Sequence, residues 1–519
     1  MRRIKIYHFH PFLLAIFPVL TLFEHNIEEV AIAVAIRPFW ISLIGMLLFY
    51  MFALMLLKSW DKAALATSFL LVMFFSYGHV YNALRSIPEY GLYLGRHRYL
   101  IVLYGLVIVA GLWWMSKRFR DLRQTNQFCS LIGLVLFIFP VVQVLSHARK
   151  VSIAESIDVD YVMLAEPLSV AEGEELPDIY YIILDTYTRA DCLLENYDYD
   201  NSTFLDDLQA MGFYIANRSR CNHCYTQGSL VSSLNMNYMS DLTAILEDNN
   251  LGDDIWVLLK HSIVRESLEQ IGYQTIAFDT GFEWSRLRDA DTYLAFDKAP
   301  LVFQTIDPFE ALFIKNTMGR IWIDLQYKSI MNENQSLFEV VSNVNFPYEG
   351  YAKRQLFILE QLPQLAALSG PKFVFAHVLI PHVPRVFTPQ GEIQSDPGYY
   401  SGELAGPIDD VYDKLGYVSE IEFVNNRMLE ILPQIIENSS LPPIIVLQGD
   451  TGSRHDLPEI LNAYYLEGEH PDVLYESISP VNTFRLIFDA YFGSHYGFLE
   501  DITYAKDKQI PETSPACVW

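Results

Sequence analysis

Four polar residues stand where apolar runs of this chain stop. Asp185 follows Ile-Tyr-Tyr-Ile-Ile-Leu and Asp450 follows Ile-Ile-Val-Leu-Gln-Gly. His377 closes Phe-Val-Phe-Ala, and His382 comes five residues later in His-Val-Leu-Ile-Pro-His. Short apolar runs bounded in this way read as buried strands, and open α/β sheets bind ligands beyond the carboxyl ends of their strands. A carboxylate held there is unfavourable unless it is hydrogen-bonded, paired or bound to a cation. One such Asp is most simply a cap for the turn that follows. Two Asp with two His point instead to a divalent metal, and carboxylate and imidazole donors suit zinc or manganese ahead of calcium or magnesium.

A nucleophile would complete such a site. Thr226 lies in Cys-Tyr-Thr-Gln-Gly-Ser, where a polar turn enters a helical pattern running on through Leu234. There a hydroxyl receives the field of a helix N-terminus and of a bound metal, both of which stabilise an alkoxide. The same N–H groups can cradle a phosphate or sulfate oxygen. The competing reading is an N-cap, the commonest role of Thr or Ser at a helix start. Ser229, Ser232 and Ser233 are further hydroxyls nearby, among which spacing does not choose.

The elements that position these residues alternate. Strands are expected at Ile179–Leu184, Gln274–Phe278 (before Asp279), Phe373–Val378 and Pro443–Gln448. Helices are expected at Ser202–Met211, Gln227–Met239, Asp254–Ile271 (closed by Gly272), Tyr351–Leu368 and Ile421–Asn438. That alternation predicts a mostly parallel sheet covered on both faces.

Charge divides the chain. Residues 1–150 hold 15 Lys+Arg against 6 Asp+Glu, whereas the other 369 residues hold 21 against 56. A change from +9 to −35 near residue 150 marks a boundary, and nothing in the acidic part offers nucleic acid a basic stripe. Uncharged stretches at Phe39–Leu57, Ala63–Leu84, Tyr99–Ser116 and Phe128–Ser146 can each span a hydrocarbon core, which takes about 20 helical residues. Phe9–Phe23 is shorter; Arg2, Arg3 and Lys5 precede it as in a signal peptide, but no small-residue cleavage site follows. It is read as a retained helix, giving about five spans. Basic loops at Arg2, Arg3 and Lys5, at Lys58 and Lys62, and at Lys117, Arg118, Arg120 and Arg123 fall on one side, which is then the cytoplasm. The expected plan is a transmembrane helical domain over 1–150, a linker over 151–176, and an extracytoplasmic α/β domain over 177–519. In that compartment Cys192, Cys221, Cys224 and Cys517 can form disulfides, while Cys129 lies in a span. Cys221-Asn222-His223-Cys224 reads as a bridge, a metal pair or free thiols.

Several motifs carry a resemblance when taken together. They are Asp-Ile-Tyr-Tyr-Ile-Ile-Leu-Asp ending at Asp185, Thr-x-x-Ser at Thr226, His-x-x-x-Pro-His from His377 to His382, and Gln-Gly-Asp ending at Asp450. This set resembles the sulfatase-like branch of the alkaline phosphatase superfamily. With spans ahead of an outer domain, it is similar to the lipoteichoic-acid synthases and phosphoethanolamine transferases of bacterial inner membranes. Ser-Leu-Val-Ser-Ser-Leu-Asn-Met-Asn-Tyr (229–238) and Ser-Pro-Val-Asn-Thr-Phe-Arg (479–485) look like stretches of such membrane-anchored proteins. The likeness covers roughly residues 175–500. It implies that Asp185 and Asp450 hold a metal and that Thr226 is its partner and the nucleophile. It implies that His382, with His377, binds the transferring group or a second ion, and that the substrate is a lipid-linked or envelope phosphate or sulfate ester. One departure stands out. The resemblance expects Asp-His-Gly late in the chain, where this sequence has Asp450-Thr451-Gly452. His455 is a candidate replacement ligand, and a catalytically degenerate binding or assembly protein is the alternative.

Overall fold

A computed structural model describes residues 8–511 apart from 28, 86, 88–94, 119–121, 157–164, 171, 172, 174, 249–254, 297–307, 323, 325–346, 395–409, 455–457, 467–472, 506 and 507. The chain forms two compact units, Met1–Val151 with Thr305–Pro347, and Ser152–Gln304 with Tyr348–Trp519.

The first unit is built on α1 (His10–His25), α2 (Ala33–Leu57), α3 (Trp60–Arg85), α4 (His97–Arg118) and α5 (Arg123–Ser156). Of these, α2 to α5 are long and apolar enough to cross a membrane. Helix α1, at 16 residues, falls short of the usual length. It is nevertheless part of the folded unit. The buried His10 ring meets Ser68 Oγ of α3 at 2.5 Å and Asn126 Oδ1 of α5 at 2.8 Å, so all its polar atoms are satisfied away from water. A later piece of chain joins this unit. The helix Pro308–Lys315 lies against α2, with Glu310 ion-paired to Arg37. Beyond it, Met318 N–H donates to Phe74 O at 2.8 Å and His97 Nε2 lies 2.7 Å from Asp324 Oδ2. Gly78 of α3 faces the Lys315 carbonyl so closely that no Cβ would fit.

The second unit holds a seven-stranded sheet of order β2-β7-β6-β1-β5-β3-β4. Its strands are β1 (Ile179–Leu184), β2 (Tyr214–Ile215), β3 (Gln274–Phe278), β4 (Thr292–Leu294), β5 (Lys372–Val378), β6 (Ile444–Gly449) and β7 (Asn462–Tyr465). Strands β6, β1, β5, β3 and β4 run parallel, while at one edge β7 pairs antiparallel with both β6 and β2. Every residue of β1, β5 and β6 is buried, as a parallel sheet covered on both faces requires. The helix Pro480–Tyr491 packs Phe484 edge-on to Tyr181 of β1 and to Phe373 of β5. A two-stranded ribbon, β8 (Thr503–Ala505) and β9 (Lys508–Ile510), follows.

The expected α/β class with a mostly parallel sheet is what the chain forms; the expected helix Ile421–Asn438 begins earlier, at Asp410, and three others differ in detail. The expected helix Asp254–Ile271 is two, Trp256–Lys260 and Ile263–Gln270. Ser262 separates them because its side chain accepts Arg265 N–H and so starts a new helix. Tyr351–Leu368 is helical from Pro347 to Gln361 and then tightens to a 3₁₀ turn where Pro363 enters. Gln227–Met239 resolves into Thr226–Asn235 and Met239–Asp248, parted at Met236, which is left-handed at φ 54°.

Candidate metal centre and active site

Register brings the donors together. In the sheet, β1 lies between β5 and β6, and Leu184 is level with both Val378 and Gly449. One residue further, Asp185 and Asp450 leave neighbouring strands side by side. His377 is paired with Ile183, two residues before Asp185. Side chains two apart on a strand share a face, so His377 and Asp185 point the same way. Ligand atoms of Asp185, His377 and Asp450 all lie within 4.8 Å of one another. All three residues are buried, at 4%, 1% and 1% exposure.

Local backbone holds the carboxylates in place. Thr186 has φ 62°, an uncommon conformation for a β-branched residue, and it turns its N–H to donate to Asp450 Oδ1 at 2.9 Å. The turn is pinned by Tyr417, whose hydroxyl donates to Thr186 O at 2.6 Å. A Cβ at Gly449 would come within 2.5 Å of Tyr187 O, so glycine is required for the chain to pass there. Ser229 Oγ donates to Asp450 O at 2.6 Å.

Thr226 is the first residue of its helix. The cap position is Tyr225, in extended conformation and with no side-chain cap bond. The Thr226 hydroxyl is therefore free of the N-cap role, and it lies close enough to the Asp450 carboxylate to favour its charged form. Of the nearby serines, Ser229 is engaged with Asp450 O and Ser233 with Tyr181 and Pro480, whereas Ser232 Oγ is buried without a hydrogen-bond partner. The helix start is also held covalently nearby, since Cys224 is disulfide-bonded. Cys221 and Cys192 are buried and not disulfide-bonded, so Cys221 and Cys224 do not bridge each other. Cys517 lies outside the described residues.

The electrostatics favour a cation. Burial would raise Asp185, but His382, His377 and Arg385 outweigh it and hold its carboxyl below the usual range. Burial and the Asp185 charge push Asp450 up to about 6. Two carboxylates this close repel each other when charged, and a bound cation would offset that repulsion. Asp185 Oδ1, Asp450 Oδ2 and both ring nitrogens of His377 are buried without a hydrogen-bond partner. Asp279, at the end of β3, makes the contrast: Arg286 at 2.9 Å, Tyr293 at 3.1 Å and Arg354 at 3.6 Å satisfy it. A strand-end Asp with two arginines against it needs no metal; among the described residues Asp185 has only His377 Nε2, at 3.3 Å, as an ion-pair partner, and Asp450 has none.

His382 is placed differently from His377. It is half-buried, its Nδ1 lies 2.7 Å from Val383 O, and its charge acts on Asp185 across the site. Thr451 is buried beside Asp450, and His455 lies outside the described residues. Several supporting residues carried no sequence signal. Arg385, three beyond His382, is buried and paired to Asp413 at 3.0 Å, which also meets Arg454 at 3.2 Å. Glu420 accepts Val386 N–H at 2.6 Å and Phe387 N–H at 3.2 Å. Only contacts far apart in the chain reveal these partners; the run Pro-His-Val-Pro-Arg, with Arg385 close behind a candidate histidine, was the one available hint.

No protein family and no curated protein matches the sequence. Solved structures are similar at a distance. The zinc-complexed C-terminal periplasmic domain of EptC from Escherichia coli aligns at 13% identity, covering 67% of this chain and 96% of that one, with TM-score 0.39. The integral membrane lipooligosaccharide phosphoethanolamine transferase A from Neisseria meningitidis aligns at 10% identity over 93% of this chain and 95% of that one, with TM-score 0.35. A phosphonate monoester hydrolase of Agrobacterium radiobacter aligns at 13% identity over 63% and 79%, with TM-score 0.33. Likenesses this distant do not decide what the chain does.

Proposed function

We propose that this chain is a membrane-anchored, metal-dependent enzyme that hydrolyses or transfers phosphate or sulfate esters of envelope lipids or glycans, with Thr226 as nucleophile. The observation that carries the reading is the buried cluster of Asp185, His377 and Asp450, whose carboxylates keep unpartnered oxygens, with Thr226 at a helix start close to Asp450. Asp185, Asp450 and Thr226 would hold the ion. When bound, it polarises the ester oxygen and lowers the pKa of the nucleophile.

The chain's own residues do the rest. Asp450 orients the Thr226 Oγ proton and accepts it as the hydroxyl attacks. The bond from Thr226 Oγ to phosphorus or sulfur forms as the ester bond to the leaving alcohol breaks, and the alcohol departs with a proton. Water, or an acceptor hydroxyl in a transferase, then attacks the covalent intermediate and frees Thr226. N–H groups at the start of the helix face the oxygens that gain charge. His382, with Nδ1 turned to Val383 O, has Nε2 left to meet the transferring group.

Anchoring by the membrane-crossing helices supports this reading, because it would confine the enzyme and a lipid-linked substrate to one surface. Loop charge puts residues 177–519 outside the cytoplasm in a bacterial inner membrane, and the disulfide at Cys224 fits an oxidising compartment. The test is turnover of a model phosphodiester and a model sulfate ester by the full chain in detergent, with Zn²⁺ or Mn²⁺ added. Thr226→Ala should abolish it; unchanged turnover in that variant would sink the assignment. Thr451 favours a second reading, a protein that keeps the fold and binds without catalysis. Metal-independent binding of an envelope lipid, with no turnover of any ester, is its signature.

A further inference from the structure

We propose that His377 is a direct metal ligand and takes over the coordination that Thr451 cannot supply. The inference rests on the metal-centre reading above and deepens it. By the resemblance, the ligand after Asp450 would be a histidine on the same loop; here it is Thr451, a weak neutral donor. The replacement comes from the other side of β1. Strands β6, β1 and β5 are consecutive in the sheet, so an imidazole at the end of β5 approaches the carboxylates from the side opposite β6.

Three observations converge on His377. First, register puts it on the face of Asp185, and its Nε2 lies 3.3 Å from Asp185 Oδ2. Zinc bonds of 2.0–2.1 Å at tetrahedral angles set neighbouring donor atoms about 3.3–3.4 Å apart. That edge of a coordination polyhedron is therefore already present. Second, the ring is fully buried and neither nitrogen has a hydrogen-bond partner. Buried polar atoms are rarely left so without an ion or a water to satisfy them, and Asp185 Oδ1 and Asp450 Oδ2 are orphaned in the same place. Third, His382 does not compete for the position: it is half-buried, with Nδ1 turned to Val383 O. With Thr226 Oγ as the fourth donor, the set is two carboxylate oxygens, one imidazole nitrogen and one hydroxyl. Four donors that include a nitrogen suit zinc, whereas calcium asks for six to eight oxygens.

The experiment uses the full chain in detergent, stripped with chelator and reloaded with Zn²⁺. Elemental analysis gives the stoichiometry and competition with a chromophoric chelator gives the affinity. Co²⁺ loading adds a spectrum that responds to nitrogen ligation. The wild type is expected to hold one ion per chain. His377→Ala and His377→Gln should each lose at least about 100-fold in affinity, beyond the 10–100-fold typical of outer-shell changes, and their Co²⁺ bands should shift. Thermal unfolding and gel filtration verify that the variants fold. Adding Thr451→His to His377→Ala should restore tight binding. Undiminished zinc affinity and an unchanged Co²⁺ spectrum in His377→Gln, alongside loss in Asp185→Ala, would overturn the role of His377 and leave the metal centre standing. Loss in His377→Ala without recovery in the double variant would overturn its substitution for position 451. A wild type that binds no ion would overturn the metal centre itself.

Discussion

Glu420 shows what burial does to a charge close to the site. Removal from water pushes its carboxyl up from 4.5 to about 8, against the pull of Arg385 and of the Val386 and Phe387 N–H groups. In the unfolded chain the same group ionises near its ordinary value. Between those two pH values the folded state holds a proton that the unfolded state releases, so stability falls as pH rises from about 4.5 to 8. Glu420→Gln keeps a carbonyl for the two N–H groups and removes the titration. Its unfolding temperature should vary less with pH over that window than that of wild type, as thermal scans in chelator would show; parallel curves would exclude the effect. At this scale the sequence named Asp185, Asp450 and His377 by their places at the ends of apolar runs, and Thr226 by its place where a polar turn enters a helix. It did not separate His377 from His382, because both sit in one motif and only β5 register distinguishes them. Nor did it separate Asp279 from Asp185, since the cations that satisfy Asp279 include Arg354, 75 residues away in the chain.

Elements set the geometry through two backbone details. Gly449 lets the end of β6 pass Tyr187 O, and Gly449→Val would drive a Cβ into that backbone oxygen. The expected outcome is a loss of about 1–3 kcal/mol, the usual range for overpacking, together with weakened metal binding as Asp450 is displaced. Thermal unfolding and zinc stoichiometry measure the two effects; metal binding unchanged at wild-type stability would show that the turn tolerates the side chain. The second detail is the disulfide at Cys224, two residues ahead of Thr226. Cys224→Ser should destabilise the second unit by about 2–4 kcal/mol, whereas Cys221→Ser, at a buried cysteine outside the disulfide, leaves the covalent link intact. Equal sensitivity of both variants to reductant would contradict this. The strands were legible because six consecutive apolar residues are a local signal. The helix breaks at Ser262 and Pro363 were less so, because helical periodicity runs through a cap or a proline that only changes backbone angles.

For the whole molecule, the path of the chain matters more than any one element. It passes between the two units at residue 151, again at 304 and again at 347, so the second unit is joined to the membrane helices by three stretches of chain. The helix Pro308–Lys315 is the anchor of the inserted piece, and Gly78 admits its backbone. Gly78→Leu should expel it. A Cys pair replacing Arg37 and Glu310, ion-paired in the native chain, should link through a short bifunctional thiol reagent in vesicles and fail to do so when Gly78→Leu is added. Retained linking would mean that the helix docks without that close approach. Nothing in hydropathy along the sequence marks the helix Pro308–Lys315 as belonging with the spans, because at 8 residues it is too short to cross and its docking partners are more than 200 residues earlier.

What the sequence determined by itself was local. Long uncharged runs gave membrane-crossing helices, short apolar runs gave the strands of a parallel sheet, and the residues closing those runs were the ones able to carry chemistry. Each depends on contiguous residues and on a period of 2 or 3.6, which is written in the chain. Tertiary structure decided the rest. The order β6-β1-β5 brought Asp450, Asp185 and His377 to one place, left His382 at the side, and gave Asp279 its arginines. It returned residues 305–347 to the first unit. These outcomes depend on which strands become neighbours and in what register, a property of long-range pairing that no single stretch of sequence contains.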